Sequence, residues 1–164
     1  MRAGEAFGSP KTYLVAGEDA FGAVWGLGVS RIAFKVLPKG PDDPLVIENI
    51  FHQRGGPGRH VHDQQDEWFY TLEGEFLVEV GTTQYVLRAG DALLAPRNVP
   101  HVWGYVGHGQ QGRILIAFLP AGRMVEFFRE VTRYNAMPPQ DPELWRAYGM
   151  ELLGPPLALE DAEL

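Results

Sequence analysis

The chain has 164 residues, 45% of them hydrophobic and 21% charged, which suits one globular domain with a sizeable core and leaves little room for two. Its net charge of −7, with Lys and Arg scattered along the chain, excludes nucleic acid as the main partner, because phosphate binding needs a clustered positive face. Cysteine is absent, so disulfides, thiolate metal sites and cysteine nucleophiles are excluded, and any metal must be held by imidazole and carboxylate.

The N-terminal Met1-Arg2-Ala3-Gly4-Glu5 lacks the apolar stretch of a signal peptide. The longest clean apolar run, Ile114 to Leu119, is far too short to span a bilayer. A soluble cytoplasmic protein with no membrane partner is the expectation. From Lys11 to Leu119 short β-type runs alternate with turn chemistry, helped by 20 Gly and 13 Pro. Arg31 to Leu37 is stopped by Pro38-Lys39-Gly40-Pro41, and Leu45 to His52 by Arg54-Gly55-Gly56-Pro57-Gly58. Glu67 to Leu72 turns through Glu73-Gly74-Glu75 into Phe76 to Val80, and Thr83 to Leu87 pairs back. Ala92 to Ala95, Val102 to Val106 and Arg113 to Leu119 complete the series. Strands at this spacing predict an all-β sandwich or closed barrel.

After Pro120 the period changes. Met124, Phe127, Phe128 and Val131 sit at helical spacing, and Phe127 and Phe128 are read as helix-to-barrel packing. Asp141-Pro142-Glu143 reads as an N-cap, a proline at the first helical position and an early acid, opening a shorter helix to about Tyr148. Gly149 and Gly154-Pro155-Pro156 lead into an acidic tail. The division is therefore a barrel over 1–120, including N-terminal strands, with helices and tail over 121–164 packed on it. The C-terminal helices lack a basic face, which argues against a DNA-binding regulator.

Chemistry concentrates in His60-Val61-His62 and Glu67. Side chains two apart on a strand project to one face, so the two imidazoles can aim at one point. Glu67 follows the polar turn Asp63-Gln64-Gln65-Asp66, and His101 lies behind Pro96-Arg97-Asn98-Val99-Pro100. Imidazole and carboxylate together suit first-row divalent metals. Stepping by two from Glu67 reaches Phe69, and from His101 reaches Trp103 and Tyr105, so these aromatics share the face of the cluster. In a small barrel such residues more often fill core than touch substrate. Arg97 is either a group reaching an anion at the barrel mouth or a solvated turn arginine. Asp66 is either a hydrogen-bond partner for a ligand histidine or a plain turn carboxylate. His52 and His108 are read as core or surface histidines.

These segments resemble the two motifs of the cupins. The first runs His60, His62, four residues, Glu67, six residues, Gly74; the second runs Gly90, five residues, Pro96, Arg97, Asn98, two residues, His101, three residues, Tyr105. Together they cover Gly55 to Tyr105, with the short intermotif stretch of small bacterial members. Three positions depart from the family pattern: Arg54 stands where it has Gly, Asn98 replaces a turn Gly, and Tyr105 replaces the terminal Asn. Asn enters the left-handed region more easily than most residues. None of the three is a ligand position.

The resemblance, which extends to small quercetinase-like bacterial cupins, implies a double-stranded β-helix, or jelly-roll barrel, with a short α-helical C-terminal appendage. It also implies one divalent transition metal (iron, manganese, nickel, copper, cobalt or zinc) held by His60, His62, Glu67 and His101. The activity it favours is a dioxygenase acting on a small enol, diketone or phenolic compound. Glu67 would also take the substrate hydroxyl proton, and Phe69, Trp103, Tyr105 and Arg97 would contact substrate. A metal-dependent isomerase or lyase and a non-catalytic small-molecule binder remain open, since fold alone does not choose among them. A homodimer is implied too, with Tyr13 to Val15 and Trp25 to Val29 as a candidate edge.

Overall fold

The computed structural model describes residues 11–159. Among these residues eleven strands form two antiparallel sheets facing each other. The first sheet contains β1 (Trp25–Leu27), β2 (Ser30–Val36), β3 (Leu45–Phe51), β5 (Asp66–Glu73), β8 (Ala92–Ala95) and β10 (Gly112–Leu119), in the order β1-β2-β3-β10-β5-β8. The second contains β4 (Arg59–His62), β6 (Phe76–Val80), β7 (Thr83–Leu87), β9 (His101–Tyr105) and β11 (Met150–Gly154), in the order β11-β4-β9-β6-β7. Two helices, α1 (Met124–Val131) and α2 (Pro142–Ala147), lie between β10 and β11, with a 3₁₀ turn at Thr132–Tyr134.

Alternation decides which side chains meet between the sheets. On β5, Glu67, Phe69 and Thr71 are buried while Trp68 and Tyr70 are only half-buried and stack on the outer face at 5.7 Å. On β3, Leu45, Ile47, Asn49 and Phe51 point inward, and on β10 Ile114, Ile116 and Phe118 oppose them. The core is strongly aromatic: Phe51, Phe69, Phe76, Trp103 and Tyr105 interlock with centroids 5.5–6.2 Å apart.

Helix α1 turns Met124, Phe127, Phe128 and Val131 onto the barrel, as their spacing requires. Helix α2 is capped as expected, the Asp141 side chain accepting from the Glu143 amide at 3.1 Å with Pro142 at the first helical position. The tail expected after Gly149 is instead a strand over Met150–Gly154. It pairs with β4 in the register Met150↔His62 and Leu152↔His60 and so covers the edge of the strand carrying both histidines. Among the described residues no helix is long and apolar enough to cross a membrane.

Candidate metal centre

His60, His62, Glu67 and His101 converge between the two sheets, with their ligand atoms all within 4.8 Å of one another. The second sheet supplies the three histidines. His60 and His62 share a face of β4, and His101 lies directly opposite His60 on β9. The first sheet supplies Glu67, opposite Phe118 on β10. All four are at most 4% exposed, so water cannot screen them. The turn that delivers His101 relies on Asn98 at φ 66°, which satisfies the left-handed requirement of the missing glycine; its amide donates to the His62 carbonyl at 2.7 Å.

The hydrogen bonds around the rings set their tautomers. The Gln65 amide hydrogens are spent elsewhere: its Nε2 donates to the carbonyls of Pro120 (2.9 Å) and Ala121 (2.5 Å). Its Oε1 must therefore accept from His62 Nδ1 at 2.7 Å, leaving His62 Nε2 as a lone pair. His60 Nδ1 likewise donates to the Gly58 carbonyl at 2.7 Å, so its Nε2 is also a lone pair. These nitrogens lie 3.2 Å (His62) and 3.8 Å (His60) from Glu67 Oε2. His62 Nε2 is buried without a hydrogen-bond partner among the described residues. Electron pairs facing a carboxylate oxygen are repulsive until a cation lies between them.

His101 Nε2 approaches Glu67 Oε2 to 2.7 Å, and its buried Nδ1 has no partner among the described residues. The tautomer with hydrogen on Nδ1 would turn a third lone pair toward the same point. Three imidazole nitrogens and one carboxylate, two of the rings anchored through their far nitrogens, form a donor set suited to a divalent transition metal.

The electrostatics agree. Burial, together with neighbouring His101, pushes His60 down to about 4, and its contact with Glu67 only partly offsets this. Burial also opposes ionisation of Glu67, but the charge and hydrogen bond of His101, the largest opposing influences, hold the carboxyl well below its usual range. At neutral pH both present the deprotonated form that metal ligation requires.

His60 and Glu67 open onto a cavity of about 40 Å³, while His62 and His101 do not line it. Trp103, Phe118 and Ile116 form one wall, and Met137, Pro138 and Trp145 come from the C-terminal segment. Trp145 is 1% exposed, packs 4.9 Å from His60 and donates its Nε1 hydrogen to the Pro139 carbonyl at 2.8 Å. The segment after α1 thus covers the cavity.

Of the residues that the sequence placed near substrate, Trp103 lines this cavity. Phe69 is fully buried beside it, against His101 and Trp103. Tyr105 packs on Phe51 and Phe76 outside the lining and donates its hydroxyl to the Gly109 carbonyl at 3.3 Å. Arg97 is exposed on the outer side, paired with Asp66 (3.2 Å) and donating to the Leu119 carbonyl. Asp66 therefore serves Arg97, and the histidine partner in that turn is Gln65. His52 and His108 are exposed. Residues with no forecast role are Gln65, Trp145 and two polar cavity groups, Ser30 and Asn49. Asn49 had one readable signal: it falls in phase with Leu45, Ile47 and Phe51 on the inner face of β3.

Residues 49–118 match the family model described as the cupin domain. A 54-residue stretch is 41% identical to a protein named 3-hydroxyanthranilate 3,4-dioxygenase from Xanthomonas campestris pv. campestris, covering 29% of this chain. The match spans only 31% of that relative's length. Among solved structures, an RmlC-like cupin from Shewanella frigidimarina superposes with TM-score 0.57 at 20% identity, covering 70% of this chain and 96% of that one. The nucleoside dehydratase Pac13 from Streptomyces gives TM-score 0.56 at 8% identity, covering 87% of this chain and 92% of that one. At these identities the structural likeness shows the fold alone.

Proposed function

We propose that this cupin-fold protein is a metal-dependent dioxygenase acting on a small enol, diketone or phenol. The observation that supports it most is the donor set itself: three imidazoles and a carboxylate, of which His60 and Glu67 open onto a cavity otherwise lined almost entirely by apolar side chains. The local likeness to a protein named as a dioxygenase of a hydroxylated aromatic acid supports the same reaction class. A divalent metal bound here would supply Lewis acidity and a meeting point for substrate and dioxygen. His60, His62 and His101 would hold the ion, and Glu67 would complete the set and accept the substrate hydroxyl proton on its carboxylate. Trp103 and the cover from Met137 to Trp145 exclude water.

Size favours the smaller members of this substrate class over flavonols. A cavity of about 40 Å³ is well under the roughly 150 Å³ that houses a benzene ring in an engineered apolar cavity. A guest enters by displacing part of the C-terminal cover, and a fused three-ring compound would displace far more of it. Val24 (85% exposed), next to edge strand β1, together with exposed Tyr13 (77%) and Val15 (46%) earlier in the chain, supports a homodimer through that edge. Light scattering of the purified chain checks it: twice the monomer mass is expected, and a monomer at micromolar concentration refutes it.

The activity is tested by loading the protein with iron(II) and following oxygen uptake with heptane-2,4-dione and with catechol. Stoichiometric uptake, with both atoms of labelled dioxygen in the cleaved product, is expected. Conversion that proceeds equally without oxygen would move the protein to the lyases or isomerases. Tight binding with no product would make it a carrier or sensor.

A further inference from the structure

The cavity has a second polar end. Asn49 is 4% exposed and lines the cavity. Its Nδ2 donates to the Arg31 carbonyl at 3.0 Å, and that side chain makes no other hydrogen bond among the described residues. One amide hydrogen and the carbonyl oxygen of Asn49 are thus available to a guest. Ser30 lines the same cavity, and its hydroxyl donates to the Leu27 carbonyl at 3.2 Å, which leaves its oxygen able to accept.

Strand register separates this end from the ligand cluster. Glu67 lies opposite Phe118 of β10 and Asn49 opposite Ile114 of the same strand. Four residues along the strand correspond to roughly 13 Å, and the two strand spacings from β5 across β10 to β3 add roughly 10 Å sideways, so the backbones are roughly 16 Å apart; the Glu67 and Asn49 side chains shorten the gap from both ends.

Among the described residues no Lys or Arg lines the cavity. The two arginines nearest the ligands in sequence are turned away: Arg59 pairs with Glu79 at 2.6 Å, and Arg97 pairs with Asp66. A carboxylate at the Asn49 end would lose its hydration without gaining a cation. An uncharged amide, hydroxyl or ketone would exchange water for Asn49 and Ser30.

Resting on the dioxygenase reading above, we propose that the substrate is an uncharged molecule with two separated polar ends. Its enol or hydroxyl end meets His60 and Glu67, and a neutral hydrogen-bonding group at the other end is held by Asn49 with Ser30. Carboxylate-bearing compounds, 3-hydroxyanthranilate among them, are rejected by the same geometry. Asn49 is then the residue that sets specificity.

The test measures calorimetric binding to zinc-loaded protein, without turnover, of three probes sharing one diketone: heptane-2,4-dione, 4,6-dioxoheptanamide and 4,6-dioxoheptanoate. The amide is expected to bind about 5–10-fold tighter than the plain diketone, the value of one or two neutral hydrogen bonds. The carboxylate is expected to bind at least about tenfold weaker than its isosteric amide. Asn49→Ala should cut the amide's advantage to under about twofold, with zinc content and plain-diketone binding unchanged; Ser30→Ala should cut it partway. Should Asn49→Ala not fold, the Ser30→Ala series and the amide-to-carboxylate ratio decide the matter. A carboxylate that binds as well as the amide, or an amide advantage untouched by either variant, overturns the proposal and leaves the dioxygenase reading standing. If the plain diketone fails to bind zinc-loaded protein, the dioxygenase reading falls, and this proposal with it.

Discussion

Gln65→Met tests whether the geometry of the centre depends on a residue that touches no metal. Gln65 is 5% exposed and ties three groups together: His62 Nδ1 at 2.7 Å and the carbonyls of Pro120 and Ala121 at 2.9 and 2.5 Å. Methionine keeps the length and removes every hydrogen bond. The Ala121 carbonyl retains the Met124 amide as a partner at 3.0 Å, so the groups left unpaired are the His62 N–H and the Pro120 carbonyl. At about 1–3 kcal/mol for each of these two orphaned groups, the metal-free protein should lose about 2–6 kcal/mol. Freed from Oε1, His62 also loses the bond that fixes its tautomer, which should weaken metal affinity about 10–100-fold. Urea unfolding and zinc titration against a competing chelator read the two effects, with exposed Gln64→Met as the control expected to change neither. A folded Gln65→Met that binds zinc within about twofold of wild type would refute the tautomer argument.

Three further outcomes are expected. Trp145→Ala removes a 1%-exposed ring from the cavity cover and should cost about 3–5 kcal/mol by denaturant melt; a loss under about 1 kcal/mol would mean the cover contributes little. Asn98→Gly should match wild type while Asn98→Ala loses about 1–2 kcal/mol at its φ of 66°; equal stability of the two would contradict the left-handed requirement. The third concerns pH. His60 is lowered from 6.5 to about 4 in the fold, so between those values the unfolded chain binds the extra proton and stability of the metal-free protein falls as pH drops. Glu67, also lowered, adds loss in the same direction below its ordinary range, as pH falls through its folded value. The His60 contribution is on the order of 3 kcal/mol between pH 7 and 4, and His60→Gln should flatten that part of the urea-midpoint profile. An unchanged slope would show that His60 titrates normally.

Local chemistry made most of the barrel legible. Proline and glycine clusters mark strand ends to within a residue or two, and the two-residue period puts His60, His62 and Glu67 on inner faces without knowledge of the partner strands. The same period carried an unused signal. Asp66, adjacent to inward Glu67, has to face outward, and it is found on Arg97. Gln65 reaches His62 from the turn itself, where no periodicity applies.

Strand β11 was hidden because Leu152-Leu153 breaks the alternation and glycines stand at 149 and 154; its pairing with β4 is a long-range contact that no local pattern reports. The aromatics show a further limit. Parity places Phe69, Trp103 and Tyr105 inside, but whether an inward ring lines a cavity or fills core depends on which residues meet it from the neighbouring strand and from the other sheet. Phe51 and Phe76 enclose Tyr105, whereas Trp103 is left facing the space beside His60.

The central claim is that His60, His62, Glu67 and His101 hold one divalent ion, and elemental mass spectrometry of protein purified without chelator tests it most directly. Wild type should carry close to one transition-metal ion per chain, and His62→Ala and Glu67→Ala, folded as judged by circular dichroism, should carry almost none. Wild-type protein that arrives without metal and takes up none on reconstitution with iron, manganese, cobalt, nickel, copper or zinc would contradict the account.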